Sequence, residues 1–243
     1  HPLEFYHFFR DNGCQYLQFT PIVERLTEHE DGRTLASLAD VSYEDNYEDV
    51  GNAKKQKENQ EITIADFSVT SEQWGKFLCT IFDDWVRHDV GKIFVEIFDC
   101  TLANWVGVQP GICAYSKECG HAGVMEHNGD VFSCDHFVFP EYKLGNIQDK
   151  SLIDMLYGEK QQAFSRLKHT SLPRQCKECD MEFACHGECP KNRFENDKYG
   201  EPGLNYLCKG YYEYYTHVAP YMDFMKRELQ ARRPPANIMN VLK

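Results

Sequence analysis

The sequence predicts an α/β fold followed by a cysteine-rich region, and three features carry that expectation. The chain opens with a helical pattern, a glycine stop and a strand-like run, PLEFYHFFRDNG and then CQYLQFTPIVE. A capped, strongly periodic helix from Thr70 leads into a second apolar run, KIFVEIFD. Alternating helix and strand is the rhythm of an α/β layer. Eight of the cysteines then fall between positions 113 and 208.

Taken in order, Pro2 suits a first helical turn, Leu3, Tyr6 and Phe9 share a face, and Gly13 reads as the stop. The β-branched and aromatic residues of CQYLQFTPIVE predict a short buried strand. From about 28 to 66, EHEDGRT and YEDNYEDVGNAKKQKENQE are highly charged without an apolar period. They predict an exposed, partly disordered insertion, not a second core.

Thr70 and Gln73 form a capping box, and Trp74, Phe77, Leu78, Ile81, Phe82, Trp85 and Val86 recur at helical spacing. Gly91 is the expected end of that helix, and KIFVEIFD the next buried strand. Residues 1–99 thus read as the α/β part and 100–243 as a second region. There, Asn128-Gly129 marks a hairpin. Ser151 starts a helix, SLIDMLYGEKQQAFSRLKH, ahead of Pro173, and a last helix runs over about 204–232. Its tyrosines 211, 212, 214 and 215 read as packing surface.

With 243 residues, 42% hydrophobic and 14% aromatic, the composition is that of a globular protein with a real core. A net charge of −12 argues against general nucleic-acid binding, which needs basic patches. No run of about 18 apolar residues is present, so no membrane span is expected. No secretory leader is evident, and a cytoplasmic location follows as the expectation. Eleven cysteines, an odd number, cannot all pair, so reduced thiols on metal fit better than disulfides.

Cys79, inside the amphipathic helix, and Cys14, at a strand start, read as small buried hydrophobes. Cys100 is ambiguous. The remaining eight make two tetrahedral sets. Thiolates suit structural zinc and iron–sulfur clusters equally, and spacing alone does not separate the two.

The order Cys113-x5-Cys119-x9-Gly129-x4-Cys134, Cys176-x2-Cys179-x5-Cys185-x3-Cys189, then Cys208, resembles the SPASM domain. That domain is the cysteine-rich C-terminal extension of a group of radical S-adenosylmethionine enzymes. The stretches NGDVFSCDHFVFPEYKLGNI and YLQFTPIVER are similar to anaerobic sulfatase-maturating enzymes. The resemblance implies the C-terminal part of a partial (β/α) barrel over 1–99, followed by a SPASM domain with a β-hairpin and helices over 100–243. It implies two auxiliary 4Fe–4S clusters with crossed ligands. Cys113, Cys119, Cys134 and Cys189 would hold one, and Cys176, Cys179, Cys185 and Cys208 the other. It also implies that Asp135 takes the proton from the substrate's thiol or hydroxyl. His121, His136 and His186, close to ligands in sequence, read as supporting or solvent-facing.

The Cys-x3-Cys-x2-Cys signature of radical S-adenosylmethionine enzymes is missing from this sequence. The expectation is therefore a C-terminal fragment that cannot cleave S-adenosylmethionine alone, that cofactor and a third 4Fe–4S cluster belonging to the intact parent. The parent reaction implied is oxidation of a sulfatase cysteine or serine to Cα-formylglycine. Its expected partners are the sulfatase polypeptide and an electron donor such as flavodoxin or ferredoxin, with no nucleic acid and no membrane. The alternatives are a peptide-modifying SPASM enzyme and a zinc-stabilised binding module without catalysis.

Overall fold

The computed structural model describes residues 1–28, 34–37 and 63–243. Helix α1 (Pro2–Asp11) starts on Pro2, whose fixed φ and missing N–H suit a first turn, and Gly13 at φ +81° turns the chain away. The run expected as a full strand forms only β1 (Tyr16–Leu17). Pro21 has no N–H to extend a ladder, and the partner strand is equally short. Phe19 and Val23 are buried all the same.

Strands β2 (Arg25–Glu28), β3 (Thr34–Ser37) and β4 (Thr63–Ile64) form an antiparallel sheet in the order β3-β2-β4. The stretch read as an insertion over 28–66 therefore carries strand residues, and the remainder of that expectation lies outside the described residues. In α2 (Ser71–His88) both halves of the capping box form. Gln73 donates its backbone N–H to Thr70 Oγ1 at 3.2 Å, and Thr70 N–H reaches Gln73 Oε1 at 2.9 Å. Two orphan donors are satisfied, and the buried face follows the predicted period.

KIFVEIFD departs from expectation. Only β5 (Phe94–Val95) is strand, parallel to β1, and α3 (Glu96–Val106) begins immediately after it. A short apolar run cannot be assigned by periodicity alone. The longer period settles it: Ile97, Phe98, Thr101 and Trp105 share the buried face, and Gly107 closes the helix in the left-handed region.

Strands β6 (Val124–Met125), β7 (Asp130–Phe132) and β8 (Lys143–Asn146) make an antiparallel meander. Its first turn holds Asn128-Gly129, with Gly129 at φ +85°. The helix expected from Ser151 is two, α4 (Leu152–Leu156) and α5 (Glu159–Thr170). The break falls at Gly158, where a Cβ would lie 2.4 Å from the Asp154 carbonyl oxygen.

Short helices α6 (Arg174–Lys177) and α7 (Glu182–Cys185) precede strands β9 (Glu195–Asn196) and β10 (Pro202–Leu204). The long helix α8 (Cys208–Gln230) starts later than expected because Leu204 is held in β10, and α9 (Ile238–Val241) closes the chain. No described helix is long and apolar enough to cross a membrane.

The core lies where α2, α3 and α8 meet. Phe82 and Phe98 pack edge to face at 5.2 Å, Trp85 lies 5.1 Å from Phe98, and Tyr214 stacks on Phe98 at 6.0 Å. Each such ring contributes roughly 2 kcal/mol by leaving water. The tightest approach is between glycines: a Cβ on Gly210 would lie 2.0 Å from the Ser71 carbonyl oxygen and 2.9 Å from Gly75 N. Gly210 N–H also donates to Ser71 Oγ at 2.7 Å. Backbone meets backbone here, so no side chain can yield. Gly210→Ala is expected to lower stability by about 3 kcal/mol through overpacking. A chemical denaturation midpoint equal to that of the unaltered protein would contradict this account of the α2–α8 contact.

Candidate metal centre

All eleven cysteines carry free thiols. The eight expected as ligands come from different elements. Cys113 opens a short 3-10 turn, Cys119 follows it, Cys134 lies just past β7, and Cys189 precedes the turn at Pro190. Cys176 lies in α6, Cys179 just after it, Cys185 ends α7, and Cys208 begins α8.

Neighbouring thiols add to the upward push of burial: Cys113 on Cys119, and Cys119 on Cys134 and Cys189. Likewise Cys179 acts on Cys176, Cys208 and Cys176 act on Cys185, and Cys176 and Cys179 act on Cys208. Cys185 lies in the wall of a cavity that does not include Cys189. Between them the backbone reverses: His186, Gly187 and Glu188 have φ of +49°, +67° and +54°. Left-handed backbone costs roughly 1–2 kcal/mol at each non-glycine residue, so this reversal is held by its surroundings.

Arg193 does the holding. Its guanidinium, buried, donates to the carbonyl oxygens of Gly187 at 2.8 Å, His186 at 2.7 Å, Glu188 at 3.0 Å and Lys168 at 2.6 Å. Lys168, 1% exposed, performs the matching task for the other loop. Its ammonium donates to the carbonyls of Cys113, Ala114 and Ser116. Neither cation was singled out from the sequence. One signal was available for Lys168, which continues the Gln161, Phe164, Ser165 spacing of the buried face of α5.

Burial pushes the Cys119 and Cys176 thiols up to about 11 and those of Cys134 and Cys208 up to about 12. It drives Cys185 and Cys189 strongly upward as well. As free groups these are protonated at neutral pH, so binding a metal as thiolates releases protons and couples to folding.

The second group lines a cavity of about 520 Å³, with Cys176, Cys179, Cys185 and Cys208 all in its wall beside Met181 and Tyr215. That volume is far larger than one metal ion. Among the described residues, the one set of three donor atoms lying within 4.8 Å of one another is Cys134, Asp135 and His136. No three cysteine sulfurs are so close. A tetrahedral zinc with bonds of about 2.3 Å draws its sulfurs to within about 4 Å of each other. Four thiols around such a cavity are a donor set whose chemistry fits an iron–sulfur cluster.

Asp135 is exposed, its side chain 72% accessible, beside the first group. The Cys134 thiol donates to its Oδ1 at 3.2 Å, and His136 Nδ1 lies 3.7 Å away. Burial pushes the Asp135 carboxyl up, but the Cys134 hydrogen bond and nearby His136 outweigh it, leaving the group below its ordinary value. His121 Nδ1 is within 2.7 Å of the Leu156 carbonyl, and His186 Nδ1 within 3.4 Å of Glu182. Cys79 and Cys14 are half-buried, and Cys100 is buried on α3.

Comparison with known proteins bears on this arrangement. The family model for SPASM, an iron–sulfur cluster-binding domain, matches residues 117–180. A serine-type anaerobic sulfatase-maturating enzyme from Bacteroides thetaiotaomicron is 61% identical over 243 residues, all of this chain and 54% of that protein. The chain resembles the anaerobic sulfatase-maturating enzymes. A cysteine-type anaerobic sulfatase-maturating enzyme from Clostridium perfringens is 27% identical over 156 residues, 63% of this chain and 42% of that protein. The solved structure of native anSMEcpe with bound AdoMet superposes with a TM-score of 0.68 at 22% identity, covering 93% of this chain and 53% of that one. The α/β fold with a SPASM region is thus shared, and the chain spans about half the length of the curated relatives it matches.

Proposed function

We propose that this chain is the auxiliary-cluster part of an enzyme that oxidises a sulfatase cysteine or serine to Cα-formylglycine by radical S-adenosylmethionine chemistry. In this reading residues 1–99 supply the last strand–helix portion of a partial barrel, and 100–243 the cluster-binding region. The observation that carries it is the set of eight free thiols between 113 and 208, four of which, Cys176, Cys179, Cys185 and Cys208, line one cavity. It is supported by the 61% identity to a sulfatase-maturating relative along the whole chain.

Cys113, Cys119, Cys134 and Cys189 would hold one 4Fe–4S cluster, and Cys176, Cys179, Cys185 and Cys208 a second. Such clusters, when bound, supply one-electron transfer. S-adenosylmethionine and a third cluster would bind in the rest of the enzyme. Lys168 and Arg193 hold the two loops that present the first group. Asp135, open to an incoming peptide, accepts the proton from the substrate's thiol or hydroxyl. Once Cys134 is a thiolate its S–H is gone, and the Asp135 oxygen that accepted from it is free for substrate. The partner is a sulfatase polypeptide, consistent with a similar fold solved with AdoMet and a peptide, Cp18Cys. Flavodoxin or ferredoxin would serve as electron donor, and the cytoplasm is the location proposed.

Iron, acid-labile sulfide and zinc, measured on anaerobically purified protein, test the reading. About eight irons and eight sulfides per chain with brown absorbance are expected. About two zincs with no sulfide would instead make the region a structural module and remove its electron-transfer role.

A further inference from the structure

Helix α5 turns one buried face toward the loops that carry Cys113, Cys119 and Cys134. Gln161, Ser165 and Lys168 recur there at the i, i+4, i+7 spacing of a single helix face, and all three are buried. Lys168 holds the Cys113 loop, as described above. Ser165 donates its hydroxyl to the Cys119 carbonyl oxygen, and its own carbonyl accepts from the Cys119 N–H at 3.2 Å. Gln161 joins two loops with one amide. Its Nε2 donates to the carbonyl oxygens of Gly120 at 2.9 Å and Ser133 at 3.2 Å, the residues next to Cys119 and Cys134.

The other end of that amide gains nothing. Gln161 Oε1 is buried without a hydrogen-bond partner among the described residues, and a polar atom left in that state requires a reason. Stability alone supplies little. An apolar side chain of the same length would leave the buried Ser133 carbonyl without its donor, but would also remove the orphaned oxygen. These two costs are alike in kind and oppose each other. Gly120 is exposed, so water replaces the amide there. We infer that Gln161 is a positioning residue for the first ligand set, fixing the Cys119 loop against the Cys134 loop and so setting how tightly iron is held between them. The inference rests on the ligand sets proposed above. Gln161 acts through the two loops, as outer hydrogen bonds around metal ligands do when they orient those ligands.

The test compares the unaltered chain with Gln161→Met, both loaded anaerobically with iron and sulfide. Methionine keeps the length and removes the donor and the orphaned oxygen together. Before loading, the two chains should unfold at the same denaturant concentration. After loading, an iron chelator should strip half the iron of one cluster at a concentration about 10–100-fold lower in the variant, the usual effect of losing an outer hydrogen bond around a metal ligand. The cluster that resists should give the electron paramagnetic resonance signal of Cys119→Ser, whose first set lacks a ligand. Equal chelator resistance in both chains would overturn the inference and leave the two-cluster reading intact. Weakening of the cluster that Cys119→Ser retains would overturn it too. So would a loss of metal-free stability with both clusters weakened alike, since a merely structural residue produces that. An unaltered chain that loads no cluster would overturn the two-cluster reading and this inference with it. Should Gln161→Met fail to fold, deuterium exchange at the Gln161 side-chain amide of the unaltered, unloaded chain decides alone. Protons as slow as the backbone amides of α5 are expected, and exchange at the rate of an exposed amide would overturn the inference.

Discussion

Replacing Asp135 with Ala in the full-length enzyme proposed here is expected to reduce formylglycine formation by about 10²–10⁴-fold, the usual contribution of a positioned base. Cleavage of S-adenosylmethionine to 5′-deoxyadenosine should continue. The separation of the two readouts is what makes the prediction specific. Asp135 adjoins Cys134 but lies on the surface, with 72% of its side chain accessible, so its loss leaves no cavity and exposes no core. Its contacts are the Cys134 thiol at 3.2 Å and His136 at 3.7 Å. Iron content should therefore remain that of the unaltered protein. Asp135→Asn, which keeps the shape and cannot take a proton at neutral pH, should match Asp135→Ala. Normal formylglycine yield from either variant, measured by mass spectrometry of a sulfatase peptide, would rule Asp135 out as the base.

The parts of the fold that could be read in advance are those fixed by near neighbours. The Thr70–Gln73 box and the apolar stripe of α2 are local, as is the turn at Gly129, and each is where the residues put it. KIFVEIFD failed because its apolar run suits either a strand or the first turn of a helix. Only the positions beyond it, Thr101 and Trp105, select the helix. Gly158 was passed over inside an otherwise continuous helical pattern, although glycine weakens a helix interior by about 1 kcal/mol.

The centre divides the same way. The eight candidate ligands could be counted from the sequence, but the left-handed turn at 186–188, between Cys185 and Cys189, could not be read from spacing. The crossing of ligands that the resemblance implied belongs to the proposal. Arg193 and Lys168 were invisible for a different reason. A long cation on a polar helix or loop ordinarily faces water, and only the packed fold shows that both are buried and donate to backbone carbonyls, most of them beside candidate ligands.

That placement makes Lys168→Met a damaging change outside the cysteines. Methionine fills nearly the same volume, so packing alone predicts little loss. The hydrogen bonds predict much more. Three carbonyls lose their shared donor, that of Ser116 buried and those of Cys113 and Ala114 part-buried. Each unsatisfied carbonyl costs about 1–3 kcal/mol, partly offset by relief from burying an ammonium, for a net loss of about 2–4 kcal/mol. Burial and the nearby Arg193 pull the Lys168 pKa down, while Glu188, and Cys119 and Cys189 when ionised, favour the proton it carries. Once thiolates form, that favourable charge is stronger, so the lysine matters more to the metal-bound state than to the free one. Iron content should accordingly fall from about eight to about four per chain as the first group loses its Cys113 loop and the second, on α6, α7 and α8, keeps its cluster. A variant destabilised but still holding about eight irons would make Lys168 a purely structural cation. One retaining both full stability and full iron would mean that the three carbonyls find other donors.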